Sequence, residues 1–285
     1  MRRARAPTSG ASNGEALFER VAAIATEAMA GAPPPVAIGC GCGGPQRWPD
    51  GVVSPLHIPA WREFPLRRRL EQRFGLAAVV DNDAKAMALG ESWHGAGRGA
   101  RCMLGMVVST GVGGGIVAGG RLLDGAHGHA GHIGHVQVWP DGPVCACGAQ
   151  GCLSAIASGT GIAARIDAAH VRGPATTLPR GATAEQAAAA ARGGDAFARS
   201  LFLDAGRALG RAIASATALL DLDLVVIGGG IALGAWDLID RPLEEELRSR
   251  SRIAFARDTR VMRAALGEDA GLYGAAALAL GVAHG

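Results

Sequence analysis

Short apolar runs that each end in glycine or in a carboxylate cluster constrain this chain most. "VAIGCGCGG", "LAAVVDND", "CMLGMVVS" and "LDLVVIGGG" are each of strand length. Between them lie stretches with helical spacing, at 15–30, 66–74, 84–93, 155–169 and 270–282, and an alanine-rich stretch over 184–220 interrupted at Arg192-Gly193-Gly194. Strands that alternate with helices in this way predict the α/β class. "TGVGGG" predicts a tight turn after "CMLGMVVS", with "IVAGGRLL" as the returning strand of a hairpin. "VRGPATTLPRG" reads as a loop. There are 285 residues, which suits one large or two medium domains, and a 49% hydrophobic composition supplies a sizeable core.

Charge excludes some classes of partner. The formal net charge is only +3, and the densest basic run, Arg67-Arg68-Arg69 beside Glu71, reads as a solvated helix face. Nucleic acid is therefore not an expected partner. No apolar run is long enough to span a bilayer, and the basic start "MRRARAPTSGASNG" is not followed by an apolar segment of the secretory kind, so a cytoplasmic location is expected.

The stretch "HAGHIGHVQVWPDGPVCACGAQGC" runs from His129 to Cys152. Cys145 and Cys147 form Cys-x-Cys, Cys152 follows five positions on, and His135 precedes by ten. Three thiolates and one imidazole fit tetrahedral zinc; buried free thiols are the alternative. Four protein ligands leave no open position, so the metal would be structural. His127, His129 and His132 are then left over, and His132 lies about one turn from His135.

Asp81-Asn82-Asp83 follows a predicted strand and precedes a predicted helix, where open α/β sheets place ligands. A carboxylate there can serve as a general base, or it can simply cap the helix. The Thr110-Gly111-Val112-Gly113-Gly114 stretch offers backbone N–H groups and a hydroxyl suited to phosphate, although any hairpin tip favours glycine. Gly228-Gly229-Gly230 is a second glycine-rich strand end.

"TGVGGGIVAGGRLLDGAHGHAGHIGH" followed by "CACGAQGC" resembles the signature of the ROK family of repressors, open reading frames and sugar kinases. The resemblance covers nearly the whole chain from about Pro7. It implies a two-lobed, actin-like (ribonuclease H-like) fold with an inserted structural zinc site. The amino-terminal lobe would comprise residues 1–96, completed by a helix over 273–285, and the second lobe, with the zinc, residues 97–272. It implies ATP-dependent phosphorylation of a hexose or N-acetylhexosamine, with Mg2+ accompanying ATP, in a homodimer or homotetramer. Asp83 takes the base role. Asn82, Gly44, His132, His135 and Ser154 become sugar-site residues, with Ser54 and His57 as further polar contacts. Thr110, Gly111 and Gly113 become one phosphate loop and Gly228, Gly229 and Gly230 the adenosine-side loop. His135, Cys145, Cys147 and Cys152 become the zinc ligands.

Three departures stand out. The D-x-G-G-T turn that holds Mg2+ and phosphates in the family is not found here, and the chain is expected to begin in the strand that follows it, at "RRARAPT". His132 and Ser154 stand where the family commonly has sugar-binding glutamates. Impaired catalysis and an altered sugar preference are therefore expected. A non-catalytic sugar-binding protein is the alternative, and a transcriptional regulator a more distant one.

Overall fold

The computed structural model describes residues 3–172 and 176–283. The first elements are α1 (Gly14–Met29), β1 (Ile38–Cys42), the two-residue strands β2 (Gln46–Arg47) and β3 (Val52–Val53), α2 (Leu66–Phe74), β4 (Ala78–Asn82) and α3 (Asp83–His94). Asn13 starts α1 by accepting the Ala16 N–H at 2.9 Å, a normal N-cap. Leu17, Phe18 and Ala22, on one face of that helix, pack with Val53, Trp61, Phe64, Leu70 and Val80. Strands β1 and β4 pair in parallel from Ile38↔Ala78 to Cys42↔Asn82. Both therefore release their carboxyl ends on the same side, where Gly43-Gly44 meets Asn82-Asp83.

Next come β5 (Cys102–Val108), β6 (Val112–Ala118), β7 (Arg121–Leu122), α4 (Leu153–Ala157), α5 (Gly159–Arg172), α6 (Ala184–Arg192), α7 (Ala196–Leu220), β8 (Leu224–Gly228), α8 (Gly230–Gly234), α9 (Trp236–Arg250), β9 (Arg260–Arg263) and α10 (Ala270–Ala283). Five strands form one sheet in the order β7-β6-β5-β8-β9. β5, β8 and β9 run parallel, and β6 returns antiparallel to β5. Leu104, Met106, Val225 and Ile227 from this sheet share a core with Phe202, Leu209 and Ile213 of α7 and with Leu243 of α9.

Helix α10 is apolar around its whole circumference and lies back against β1 and α3. A Cβ on Gly39 would come 1.7 Å from the Ala275 carbonyl oxygen, and one on Gly274 would come 1.6 Å from that of Ala86. No described helix is long and apolar enough to cross a membrane.

The structure corrects several expectations. The tight turn spans only Ser109 to Gly111; Gly113, Gly114 and Gly115 lie inside β6, paired with Val107, Met106 and Gly105. Their lack of side chains serves close packing: α3 crosses over Gly113 and Gly115, where a Cβ on Gly115 would sit 2.7 Å from the Lys85 Cα, while a Cβ on Gly114 would sit 2.9 Å from the Gly131 carbonyl oxygen on the other face. "IVAGGRLL" is accordingly the end of β6, a turn at Gly119-Gly120 and the short β7. Residues 3–13 form no strand. Arg3 and Arg5 pair instead with Asp269 and Glu268 just before α10, and no described strand runs alongside to supply a ladder. The helix expected over 155–169 is two helices, because Ser158 at the break turns its hydroxyl to the Gly161 N–H. Part of "VRGPATTLPRG", residues 173–175, lies outside the described residues, as do 284 and 285 of the expected closing helix, while Val171 and Arg172 belong to α5. Helix α9, which carries Pro242 inside it, and the short β2, β3 and β9 were not expected.

Candidate active site

Asn82 ends β4 and caps α3. Its Oδ1 accepts the N–H groups of Ala84 at 3.0 Å and Lys85 at 3.4 Å. The cap role left open between Asn82 and Asp83 thus falls to Asn82. Asp83 is the first residue of the helix, where the dipole favours a negative charge. Its Oδ1 accepts the Ala84 N–H at 2.9 Å, and its Oδ2 takes no protein hydrogen bond among the described residues. Glycines lie over both side chains. A Cβ on Gly43 would be 3.8 Å from the Asp83 Oδ2, and one on Gly44 would be 3.8 Å from the Asn82 Nδ2. Beside them, burial, then Cys40 and Asp83, push the Cys42 thiol up to about 12, so it stays protonated. Ser54 is engaged elsewhere, accepting the Glu63 N–H at 2.9 Å, and His57 is exposed.

His135, Cys145, Cys147 and Cys152 come together, with their ligand atoms all within 4.8 Å of one another. The Sγ atoms of Cys147 and Cys152 are 3.8 Å apart, and the Cys145 Sγ lies 3.9 Å from the His135 Nδ1. A zinc tetrahedron with bonds of about 2.0–2.3 Å has edges of about 3.6–3.8 Å, close to these two separations, so the set is compatible with that ion. The backbone supports it: the Cys145 N–H donates to the Ala149 carbonyl and the Gly148 N–H to that of Cys145. The Ala149 N–H, then Cys145, hold the Cys147 thiol down at about 7, while burial, then Cys147, push Cys152 up to about 12. A cation would let all three thiols ionise together.

His132 stacks on His135, with ring centroids 6.4 Å apart and 17° between planes. Its Nδ1 faces the His129 carbonyl at 2.9 Å and so carries the proton, which leaves Nε2 as a hydrogen-bond acceptor. Burial, with His129, His135 and Lys85 nearby, lowers its pKa and favours the neutral ring. Ser154 sits in the first turn of α4, where its Oγ accepts the Val112 N–H at 3.3 Å. It braces the start of β6.

The glycine turns occupy the carboxyl ends of neighbouring parallel strands, since Val107 of β5 pairs with Gly228 of β8. The Thr110 carbonyl accepts the Thr160 hydroxyl at 2.8 Å, which leaves the Thr110 side chain and Gly111 at the surface. The approach to Gly111 and Gly230 is open, with no atom within 4 Å of an added Cβ. Gly229, at φ +96°, would press a Cβ within 2.4 Å of the Val108 carbonyl oxygen. Gly113 does not join this turn: it lies under Ala84, with 2.9 Å between the two Cβ positions.

A buried ionic cluster beside the site was not foreseen. Lys85 is fully buried; its Nζ lies 2.8 Å from the Asp81 Oδ2, 2.8 Å from the Asp124 Oδ1 and 3.2 Å from the Gly128 carbonyl. The available signal was a lone lysine in an otherwise apolar helical run, with the carboxylate of Asp81 four residues earlier at the end of β4. A cavity of about 710 Å3 bordered by Trp48, Trp93 and Leu278 shares Asp81 and Asp124 with this cluster and reaches none of the candidate sugar or phosphate residues.

Residues 1–282 match the ROK family. An N-acetylmannosamine kinase of Escherichia coli is 40% identical over 232 residues, 81% of this chain and 74% of that protein. The ROK hexokinase of Thermus thermophilus superposes with a TM-score of 0.85 at 37% identity, covering 98% of this chain and 91% of that one. A ROK family glucokinase from Streptomyces griseus, solved with glucose and AMPPNP, gives 0.75 at 32% identity, covering 94% and 89%. By the match along nearly its full length, the chain belongs to the ROK family.

Proposed function

We propose that this protein is an ATP-dependent sugar kinase acting on a hexose or an N-acetylhexosamine. The observation that carries this reading is the free Oδ2 of Asp83, capped into place by Asn82 beneath Gly43-Gly44 in a ROK chain. Asp83 takes the proton of a sugar hydroxyl as its oxygen attacks the γ-phosphorus, and ADP leaves with the bridging oxygen. The Asn82 amide and the Gly44 backbone orient the sugar. Thr110, Gly111 and Gly228 to Gly230, at adjoining strand ends, receive the nucleotide phosphates and adenosine, with Mg2+ accompanying ATP. The relatives named for hexose and N-acetylmannosamine phosphorylation, and the AMPPNP complex of one of them, support this assignment.

Zinc at His135, Cys145, Cys147 and Cys152 is structural in this reading: it holds the loop that presents His132. His132 accepts one hydroxyl through Nε2 where a carboxylate would accept two, and the uncharged Ser154 hydroxyl, one of whose lone pairs takes the Val112 N–H, is a weaker acceptor than a carboxylate. Glucose is therefore expected to bind weakly. The test is a coupled ADP-release assay across hexoses and N-acetylhexosamines, with calorimetric titration of each. Turnover of at least one sugar is expected. Sugar binding without turnover would favour a non-catalytic sugar-binding protein, and no binding would remove the reading. The same assay measures the impairment expected from the sequence, as a rate below the roughly 1–100 per second of ordinary kinases.

A further inference from the structure

The proposed chemistry does not use Lys85, the chain's only lysine, which is fully buried. Its ammonium joins the end of β4, four residues before it, to a loop about forty residues further along the chain. Asp81 belongs to β4, directly before Asn82 and Asp83. Asp124 and the Gly128 carbonyl belong to the loop that leads to His132. Asp81 passes the connection on through its Oδ1, which accepts the Gln46 Nε2 at 3.1 Å and the Asn82 N–H at 2.7 Å. Gln46 begins the hairpin that follows Gly44, and its own Oε1 is buried without a hydrogen-bond partner among the described residues. The hairpin and the loop also touch directly, since a Cβ on Gly128 would meet the Trp48 side chain at 2.2 Å.

We propose that Lys85 is a positioning residue for sugar binding. Its ammonium clamps the 124–132 loop to β4 and the Gln46 hairpin, so that His132, Asn82 and Gly44 face the same sugar. The proposal rests on the kinase reading for the identity of that ligand, while the clamp itself rests on the distances above. An ammonium suits this role because it donates three hydrogen bonds in different directions from a compact head. Burial strengthens the bond to Asp81, and because the ammonium itself is buried, removal of a partner leaves it costly to satisfy.

The experiment compares Asp124→Asn and Lys85→Met with the unaltered full chain. Asp124 is partly exposed, so its variant is expected to fold even if Lys85→Met does not. Peptide-resolved hydrogen exchange, which needs no sugar, should show residues 124–132 of Asp124→Asn exchanging about tenfold faster, as expected for loss of a charge-assisted bond. In the coupled assay the KM for sugar should rise about tenfold, with kcat within about threefold and the KM for ATP unchanged. A merely structural cluster would speed exchange throughout the chain or lower kcat and both affinities together, and either result overturns the proposal. So does unaltered exchange over 124–132. If the unaltered chain phosphorylates and binds no sugar, the kinase reading falls, and the exchange data still decide whether the clamp exists.

Discussion

Asn82 and Asp83 divide the start of α3 between them. Asn82 caps the helix with its Oδ1, the Oδ1 of Asp83 shares the Ala84 N–H with it, and the Oδ2 of Asp83 takes no protein hydrogen bond among the described residues. Asp83→Asn should therefore leave the fold intact and lower turnover by on the order of 10²-fold or more, as for loss of a general base. Sugar affinity should change little, because the amide keeps the size and part of the hydrogen bonding. Single-turnover kinetics beside calorimetry would separate the two, and near-normal turnover would remove Asp83 from the role.

The proposed zinc ligands allow a prediction about composition. Purified protein should carry about one zinc per chain, as a closed four-ligand site requires. Cys147→Ser should lose the metal and lower the thermal midpoint, as should a chelator, because the metal's binding energy is part of the folding energy. Elemental analysis that finds no zinc in folded protein would end this assignment.

Close packing of α3 on β6 can be tested at Gly115. An added methyl would sit 2.7 Å from the Lys85 Cα and 3.1 Å from the Ala88 Cβ, against backbone that has no room to yield. Gly115→Ala should cost about 1–3 kcal/mol, the usual range for overpacking. Urea denaturation should show a lower midpoint with an unchanged slope. A neutral result would mean that α3 can shift freely over the sheet.

Acid stability should depend on Asp195. It caps α7, and the N–H groups of Ala198 and Thr177, with the hydroxyls of Thr176 and Thr177, hold its carboxyl far below the ordinary 3.8. A depressed folded-state pKa contributes stability that is present in full above the unfolded value and is lost as pH falls below it. Asp195→Asn keeps a neutral cap, so it should cost about 1 kcal/mol at pH 7. That difference should shrink as pH falls below 3.8. Thermal unfolding from pH 7 to 2.5 measures it, and a difference constant with pH would show that the charge contributes nothing.

The sequence by itself determined the features that depend on local spacing. Its apolar runs and helical periods marked β1, β4, β5, β8 and most of the helices, because each such element is set by side chains within a few residues of one another. The metal set was legible for the same reason, with His135 and the three cysteines inside one short segment. Tertiary structure alone decided what distant partners impose. Gly113 read as part of a phosphate turn, and Gly115 as part of the same tight turn, because their neighbours in sequence are glycines and a threonine; the helix that excludes a side chain there begins at Asp83, about thirty residues earlier along the chain. Lys85 meets Asp124 and Gly128 across separations of 39 and 43 residues. No local pattern encodes such contacts, since they arise only when hydrophobic burial brings α3, β6 and the 124–132 loop to one place, and a buried charge must then find its partners there.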